Sequence, residues 1–516
     1  MAHTTGTVTS QEQILPGERN PSRHDVEAAT ELPEPTILSD FKRSLLATVD
    51  ASDAQDLMHL DLKATAVGSK AFTYPMALLL DFPEIPSQER ITSLCDDFST
   101  IMKSHVFLNQ LPLAQYCTDL TTPPLRLAVA CLASMHGKAP GNESRHLFLA
   151  ALDLWAFMTE VDNREARSLD MLMATILLNF FGVMTTDKAI GGKMRILVCS
   201  SLTISRRMRL HDPEQLQTLL GSRISPHRGA FIWCLWLTDI LYALRDGLGV
   251  HSFSVRELCT KMPYSEYDFQ DIYRTLLDES QPKASLPDDM TSPDDAFLLL
   301  MAVLSDIMSV QRSLYKVVSL SESQQSSSSF APNPFIPLTP AAELTRMNNA
   351  LSSALDTWYD RFRGLMVPEI IAFRHYCGLH LTCPRILELP FVAESTLSRS
   401  DFDHQPIIIT DEAVRNAWLV LDHSADAVRA CTPETLCPVW LPIVVFHAAL
   451  VVWAQQGLHK AGHSGISGSV RVLLAFKVEL ERMPWPCANN MAATLDRLMH
   501  SRSAAVRRDS RLNSSR

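Results

Sequence analysis

The sequence predicts an all-α protein, and three observations predict it. Apolar residues recur three and four positions apart, no run of alternating strand residues appears, and glycine is scarce, at 18 in 516 residues. Leu, Ala, Met and Ser are plentiful while aromatics make up only 7%, which disfavours a sandwich or a barrel. The length admits about three domains or one large helical assembly. The expected organisation is a disordered acidic and polar segment at 1–70, two packed helical halves at 71–318 and 341–500 with a Ser/Pro-rich loop between them at 319–340, and a basic tail at 501–516.

Along the chain, residues 1–70 are rich in Ser, Thr, Pro and Glu. ELPEPTILSDF, starting at Glu31, alternates acidic with apolar residues in the manner of a disordered interaction segment. The N-terminal twenty residues show neither a secretory leader nor an Arg-rich transit pattern. Leu147, Ala151, Leu154 and Met158 then mark one face of a helix. SRRMRL, from Ser205 to Leu210, places Arg206, Arg207 and Arg209 at a helix end, where cations complement the dipole. RGAFIWCLWLTDILYALRDGLG, from Arg228 to Gly249, packs one acid, Asp239, into an otherwise apolar run before a charged, glycine-rich exit. Its neighbours three and four away are Leu235, Trp236, Tyr242 and Ala243, so its ionised form must find a donor outside the helix. Arg206 or Arg207 is the expected partner, in a structural tie between helices.

Ser292-Pro293-Asp294-Asp295 starts a helix with a capping hydroxyl, a first-turn proline and an acid at the positive end of the dipole. Its apolar positions are Phe297, Leu300, Met301, Leu304 and Met308. SLSESQQSSSSFAPNPFIPLTP, Ser319 to Pro340, cannot bury enough apolar surface to offset its ordering entropy and is expected to be a mobile loop. Thr339-Pro340 opens the next helix, with Leu344, Met347, Leu351, Leu355, Trp358 and Phe362 on one side. Val414, Ala417, Leu421 and Val428 mark another, and Val470, Leu473, Leu480 and Met483 one more before the MPWPC break. CPVWLPIVVFHAALVVWA, Cys437 to Ala454, approaches the length of a membrane span but holds Pro442 and His447, and reads as a buried helix.

The chemistry that the sequence offers is sparse. A net charge of −11 disfavours a phosphate-neutralising track, which needs Lys and Arg gathered on one face. The eleven cysteines are scattered and follow no leader, so reduced thiols are expected. A zinc site needs four convergent ligands; there is no CxxC, and His375, Cys377, His380 and Cys383 spread over two faces of one helix. The acidic pairs Asp96-Asp97, Asp288-Asp289 and Asp294-Asp295 lack the third acid of a magnesium-diphosphate cluster. Neither a nucleophile elbow nor a phosphate-binding glycine loop is present, and His136 and His447 stand alone in helical context. Asn142 and Asn513 begin glycosylation sequons that are expected to stay unmodified without a leader. No catalytic, cofactor-binding or metal residue is assigned.

The order of segments resembles the regulatory domain of fungal transcription factors, the middle homology region. PPLRLAVACLASM from Pro123, HLFLAALDLWAFM from His146 and SLDMLMATILLNFFGVM from Ser168 resemble its early helices. GGKMRILVCSSLTISRRMRLHDP is similar to a segment ending in a basic pair, an apolar residue and Leu-His, here Arg206-Arg207 through Leu210-His211. The Trp-rich run with Asp239 follows in the family's order. TWYDRFRGL, HYCGLHLTCPRIL with Tyr376, His380 and Pro384, and the 437–454 helix resemble the later half. The chain departs at the turn, where Gly247-Leu248-Gly249-Val250 stands in place of Gly-Arg-Pro.

The resemblance implies a nuclear regulator or co-regulator of transcription, one serving a secondary-metabolite gene cluster among the possibilities. It would act through protein partners, either a DNA-binding factor or a second copy, with DNA reached only indirectly. The family carries a zinc DNA-binding module upstream, yet the first cysteine here is Cys95, so either a partner reads the DNA or the module lies in an upstream exon. No membrane association is expected, and a small effector is left open. The rival expectation is an all-α enzyme with an atypical pocket around Asp239, made reactive by burial.

Overall fold

A computed structural model of the protein describes residues 82–101, 108, 122–135, 142–161, 163, 165–211, 230–247, 252–265, 267–278, 286–315, 340–365, 367–398, 407–431, 437–458 and 466–514. Most of these residues lie in fifteen α-helices, with an isolated bridge between Lys261 and Asp268 as their only β pairing; the fold is all-α. The expected disordered segment at 1–70, His136 and the loop at 319–340, apart from Pro340, lie outside the described residues.

The first helices are α1 (Gln88–Ile101), α2 (Pro123–Met135), α3 (Asn142–Val161), α4 (Leu169–Met184), α5 (Lys188–Arg207), α6 (Ala230–Arg245) and α7 (Phe269–Leu277). Small polar side chains start several of them by accepting orphan amide hydrogens. The Ser168 hydroxyl takes the Met171 amide of α4, and Asp187 takes the amides of Ala189 and Ile190 in α5. Helix α6 is buried from Ala230 to Leu244, on every face, which is the signature of a central core helix. Trp233 and Trp236 wedge against Phe269 of α7, with ring centroids 5.3 and 6.2 Å away.

The remaining helices are α8 (Pro293–Val310), α9 (Pro340–Phe362), α10 (Pro368–Thr382), α11 (Leu389–Ser398), α12 (Asp411–Ala430), α13 (Leu441–Leu458), α14 (Ile466–Arg482) and α15 (Pro486–Ser514). Ser292 caps α8 at the Asp294 amide with Pro293 in the first turn, as its sequence leads one to expect. Helices α8 and α13 are apolar on nearly every face and lie inside the core. The segment Pro293–Tyr315 is the one described helix long and apolar enough to cross a membrane, and 72% of that window is buried among other helices.

The helices before and after the expected loop share one core. One cluster of buried apolar side chains runs from Ile85 to Met499. Helix α8 precedes the proposed boundary, yet it packs against α9 and α10. Phe297 stacks on Trp440 at 4.2 Å and meets Phe373 edge-on at 4.9 Å, and the Trp358 indole donates to the Ala296 carbonyl of α8. At the other end, Cys487 of α15 touches the Met184 sulfur of α4 at 3.8 Å. Within the expected basic tail the backbone of α15 is helical to Ser514.

Candidate functional site

Asp239 sits in the middle of α6, 3% exposed, and its donor is not the one expected. Its Oδ2 accepts the backbone amides of Ser252 and Phe253, at 2.6 and 2.9 Å. Neither Arg206 nor Arg207 reaches it: Arg206 forms its ion pair with Glu257, and Arg207 is exposed. Two converging N–H groups satisfy the carboxylate without burying a guanidinium beside it, which would add a second desolvation cost. Burial still dominates and raises the Asp239 carboxyl to about 6; the two amides and the field of Arg206 pull it down, and Glu257 pushes it up.

The tie between helices exists, but it runs through the segment after α6. Arg206, in the last turn of α5, grips Glu257 with Nε to Oε2 at 3.0 Å and Nη2 to Oε1 at 3.2 Å. It also donates to the Ser252 carbonyl and lies 4.9 Å over the Phe253 ring. Asp239 therefore holds the amides of residues 252 and 253 while Arg206 holds the carbonyl of residue 252. Glu257 closes the local turn by accepting the Ser254 amide at 3.0 Å in a capping box. Burial favours protonation of Glu257, but the Arg206 and Ser254 hydrogen bonds prevail and lower its carboxyl.

Two further contacts bind α5 and α6 to their neighbours. Arg195 of α5 pairs with Asp246, just past α6, at 2.8 Å. Arg245 donates to the carbonyls of Gly182, Val183 and Thr185, the last two at 2.8 and 2.7 Å, so it occupies acceptors left open at the end of α4. Gly182 lies where α4, α5 and α6 meet; a Cβ there would collide with the Tyr242 hydroxyl and the Met194 side chain.

With its inner side held this way, α5 turns an open side outward. Arg195, Ile196, Cys199, Ser200, Thr203 and Ile204 line a shallow groove of about 540 Å³. Ile196 is 71% exposed at its centre, and the positions of Gly191 and Gly192 face open space. The helix carries no acid in a chain whose net charge is −11; Arg195 and Arg206 are paired with Asp246 and Glu257, and Lys193 and Arg207 are exposed. This combination suits a partner surface that is apolar along its middle and acidic at its edges.

Elsewhere the titratable groups of the core are spent one at a time. Asp295, expected at the dipole end of α8, is also buried and accepts the amides of Tyr264 and Ser265. Asp306 accepts the Tyr273 hydroxyl at 2.8 Å. His375, Cys377, His380 and Cys383 are all buried in or at the end of α10. The Tyr376 hydroxyl meets Nδ1 of His447 from α13 at 2.6 Å, while both ring nitrogens of His380 lack a hydrogen-bond partner. Burial holds His447 down at about 4 and His380 well below its usual value. Among the described residues no three His, Cys, Asp or Glu side chains come together as metal ligands.

The sequence reading missed Glu257, Arg245 and Ile196. Glu257 was legible, because Ser254-Val255-Arg256-Glu257 has capping-box spacing. Arg245 was not, since its acceptors lie some sixty positions earlier in the chain. No protein-family model, curated protein or solved structure matches this chain.

Proposed function

We propose that the chain is a fungal transcriptional regulator or co-regulator that works in the nucleus through a protein partner, and that the outer side of α5 receives that partner. The observation that carries this reading is the groove around Ile196, an apolar centre on a helix without acids, with Lys193 and Arg207 exposed on the same helix while Arg195 and Arg206 are paired with Asp246 and Glu257. Its charge selects an acidic amphipathic helix of a DNA-binding factor as the occupant. A second copy of this chain would bring the same cations to the interface, and like charges across an interface repel. The resemblance in segment order to the fungal regulatory domain supplies the transcriptional role. A role in a secondary-metabolite gene cluster is the narrowest form of the proposal. The enzyme alternative draws no support from Asp239, whose Oδ2 is committed to two amides.

The test tethers the full chain to a reporter promoter through a foreign DNA-binding module and, in parallel, deletes the gene and measures transcripts. Changed reporter output and altered transcripts are expected. Output equal to the empty tether, with no transcript altered by the deletion, overturns the reading. Ile196→Asp, which retains the helical signal in circular dichroism, should lower reporter output several-fold. Sedimentation of the purified chain separates the occupants: a dimer that Ile196→Asp dissociates would replace the acidic partner with a second copy.

A further inference from the structure

The two exposed cations of α5, Lys193 and Arg207, bracket the groove on one side of the helix. At roughly 100° and 1.5 Å per residue, the step from 193 to 207 returns to within about 40° of the starting direction, about 21 Å further along the axis. Ile196, Ser200 and Thr203 fall on the same stripe between the cations, with Cys199 at its edge.

A segment of the same chain has the complementary pattern. ELPEPTILSDF, residues 31–41, holds Glu31, Glu34 and Asp40 and no base, together with Leu32, Ile37, Leu38 and Phe41. It lies outside the described residues. Pro33 and Pro35 disfavour a helix there, and in an extended chain at about 3.3 Å per residue Glu34 and Asp40 stand about 20 Å apart with Ile37 and Leu38 midway. Lys42 and Arg43 follow outside that span. Residues 42–81 join the segment to Phe82, the first described residue, and a connection of that length reaches about 35 Å as a coil. The chain also enters close to the start of α5: Arg90 of α1 pairs with Glu143 of α3, and Arg145, two positions on, pairs with Asp187, the cap of α5.

We infer that residues 31–41 dock in an extended form along the outer side of α5 in the same molecule, with Ile37 and Leu38 against Ile196 and Ile204 and with Glu34 and Asp40 at the two cations. Docking removes the apolar surface of Ile196, now 71% exposed, from water. The tether supplies the segment at an effective concentration on the order of millimolar, so a weak contact suffices. The segment then covers the surface at which an acidic partner helix is proposed to bind, and the partner has to displace it. That consequence rests on the partner reading; the docking itself does not.

Cys199 is an exposed thiol at the edge of the groove and reports the contact directly, while the exposed Cys259 serves as the control. The purified full chain is treated with a bulky maleimide, and both rates are followed by mass spectrometry. The double variant Ile37→Asp/Leu38→Asp should speed modification of Cys199 several-fold and leave Cys259 unchanged, and raised salt should speed Cys199 in wild type. A carbodiimide should join Lys193 to Glu34 or Asp40 within one chain, at a rate per molecule independent of protein concentration. Equal Cys199 rates in wild type and variant overturn the inference, as does a Lys193 link that forms only between chains, which would make a second copy the occupant. The tethered reporter separates this inference from the partner reading. Output should rise in the double variant; a faster Cys199 with unchanged output upholds the docking and counts against the partner.

Discussion

Asp239 shows how a single side chain can stand out in the sequence and still be misassigned in its partner. Its burial and its need for a donor followed from periodicity alone, but backbone amides leave no mark in an amino-acid code. The consequence is a measurable pH dependence. The carboxyl titrates near 6 in the folded chain against 3.8 in its ordinary state. Between those values the folded chain holds a proton that the unfolded chain has lost, so stability contributed at this site rises as pH falls. Asp239→Asn removes that titration and keeps an acceptor for the amides. Wild type should therefore gain on the variant by about 2 kcal/mol between roughly pH 7.5 and pH 4.5, read from urea unfolding at both. An unchanged difference would mean that the carboxylate is solvated rather than enclosed. Tyr376→Phe makes a second test at this scale. It leaves Nδ1 of the buried His447 without its partner and should cost about 1–3 kcal/mol.

At the scale of the element, α5 and α6 are each tied to a neighbouring segment by an arginine, and exposure decides which tie matters more. The Arg206–Glu257 fork has good geometry, yet both side chains are 39% exposed, so water and salt screen it. Arg245 is mostly withdrawn from solvent and satisfies three carbonyls at the end of α4. Arg245→Met should cost about 2–3 kcal/mol because it leaves those acceptors unpaired, while Arg206→Met should cost less than about 1 kcal/mol. Chemical denaturation of the two variants checks the order, and equal losses would contradict it. The same contrast explains what the sequence could show about elements. Ser168, Asp187 and Ser292 cap the helices that follow them, so local spacing announces the starts of α4, α5 and α8. Arg245 serves a helix to which it is not joined, and only the folded chain reveals it. Ile196 belongs to the same class: an apolar residue within an amphipathic helix looks like core until its neighbours are seen to leave it open.

On the scale of the whole molecule, the all-α class was legible because helical periodicity persists from α3 to α14, whereas the pairing of helices across the Ser/Pro-rich stretch was not. A Ser/Pro-rich stretch in sequence does not say which of the helices before and after it pack together. Here α8 lies before that stretch and is buried against α9 and α10 after it, and α6 also packs on α8. Phe297 is the side chain that most directly joins these groups, through its ring contacts with Phe373 and Trp440. Phe297→Ala removes a fully buried ring from a close-packed junction and should cost about 3–5 kcal/mol. If the core is one cooperative body, that loss spreads beyond the ring's own neighbours. Amide exchange should accelerate in both α4 and α12, although neither helix contributes the rings that Phe297 touches. Acceleration confined to α9, α10 and α13, with α4 unchanged, would instead show two bodies that fold separately and share α8 only as a contact surface.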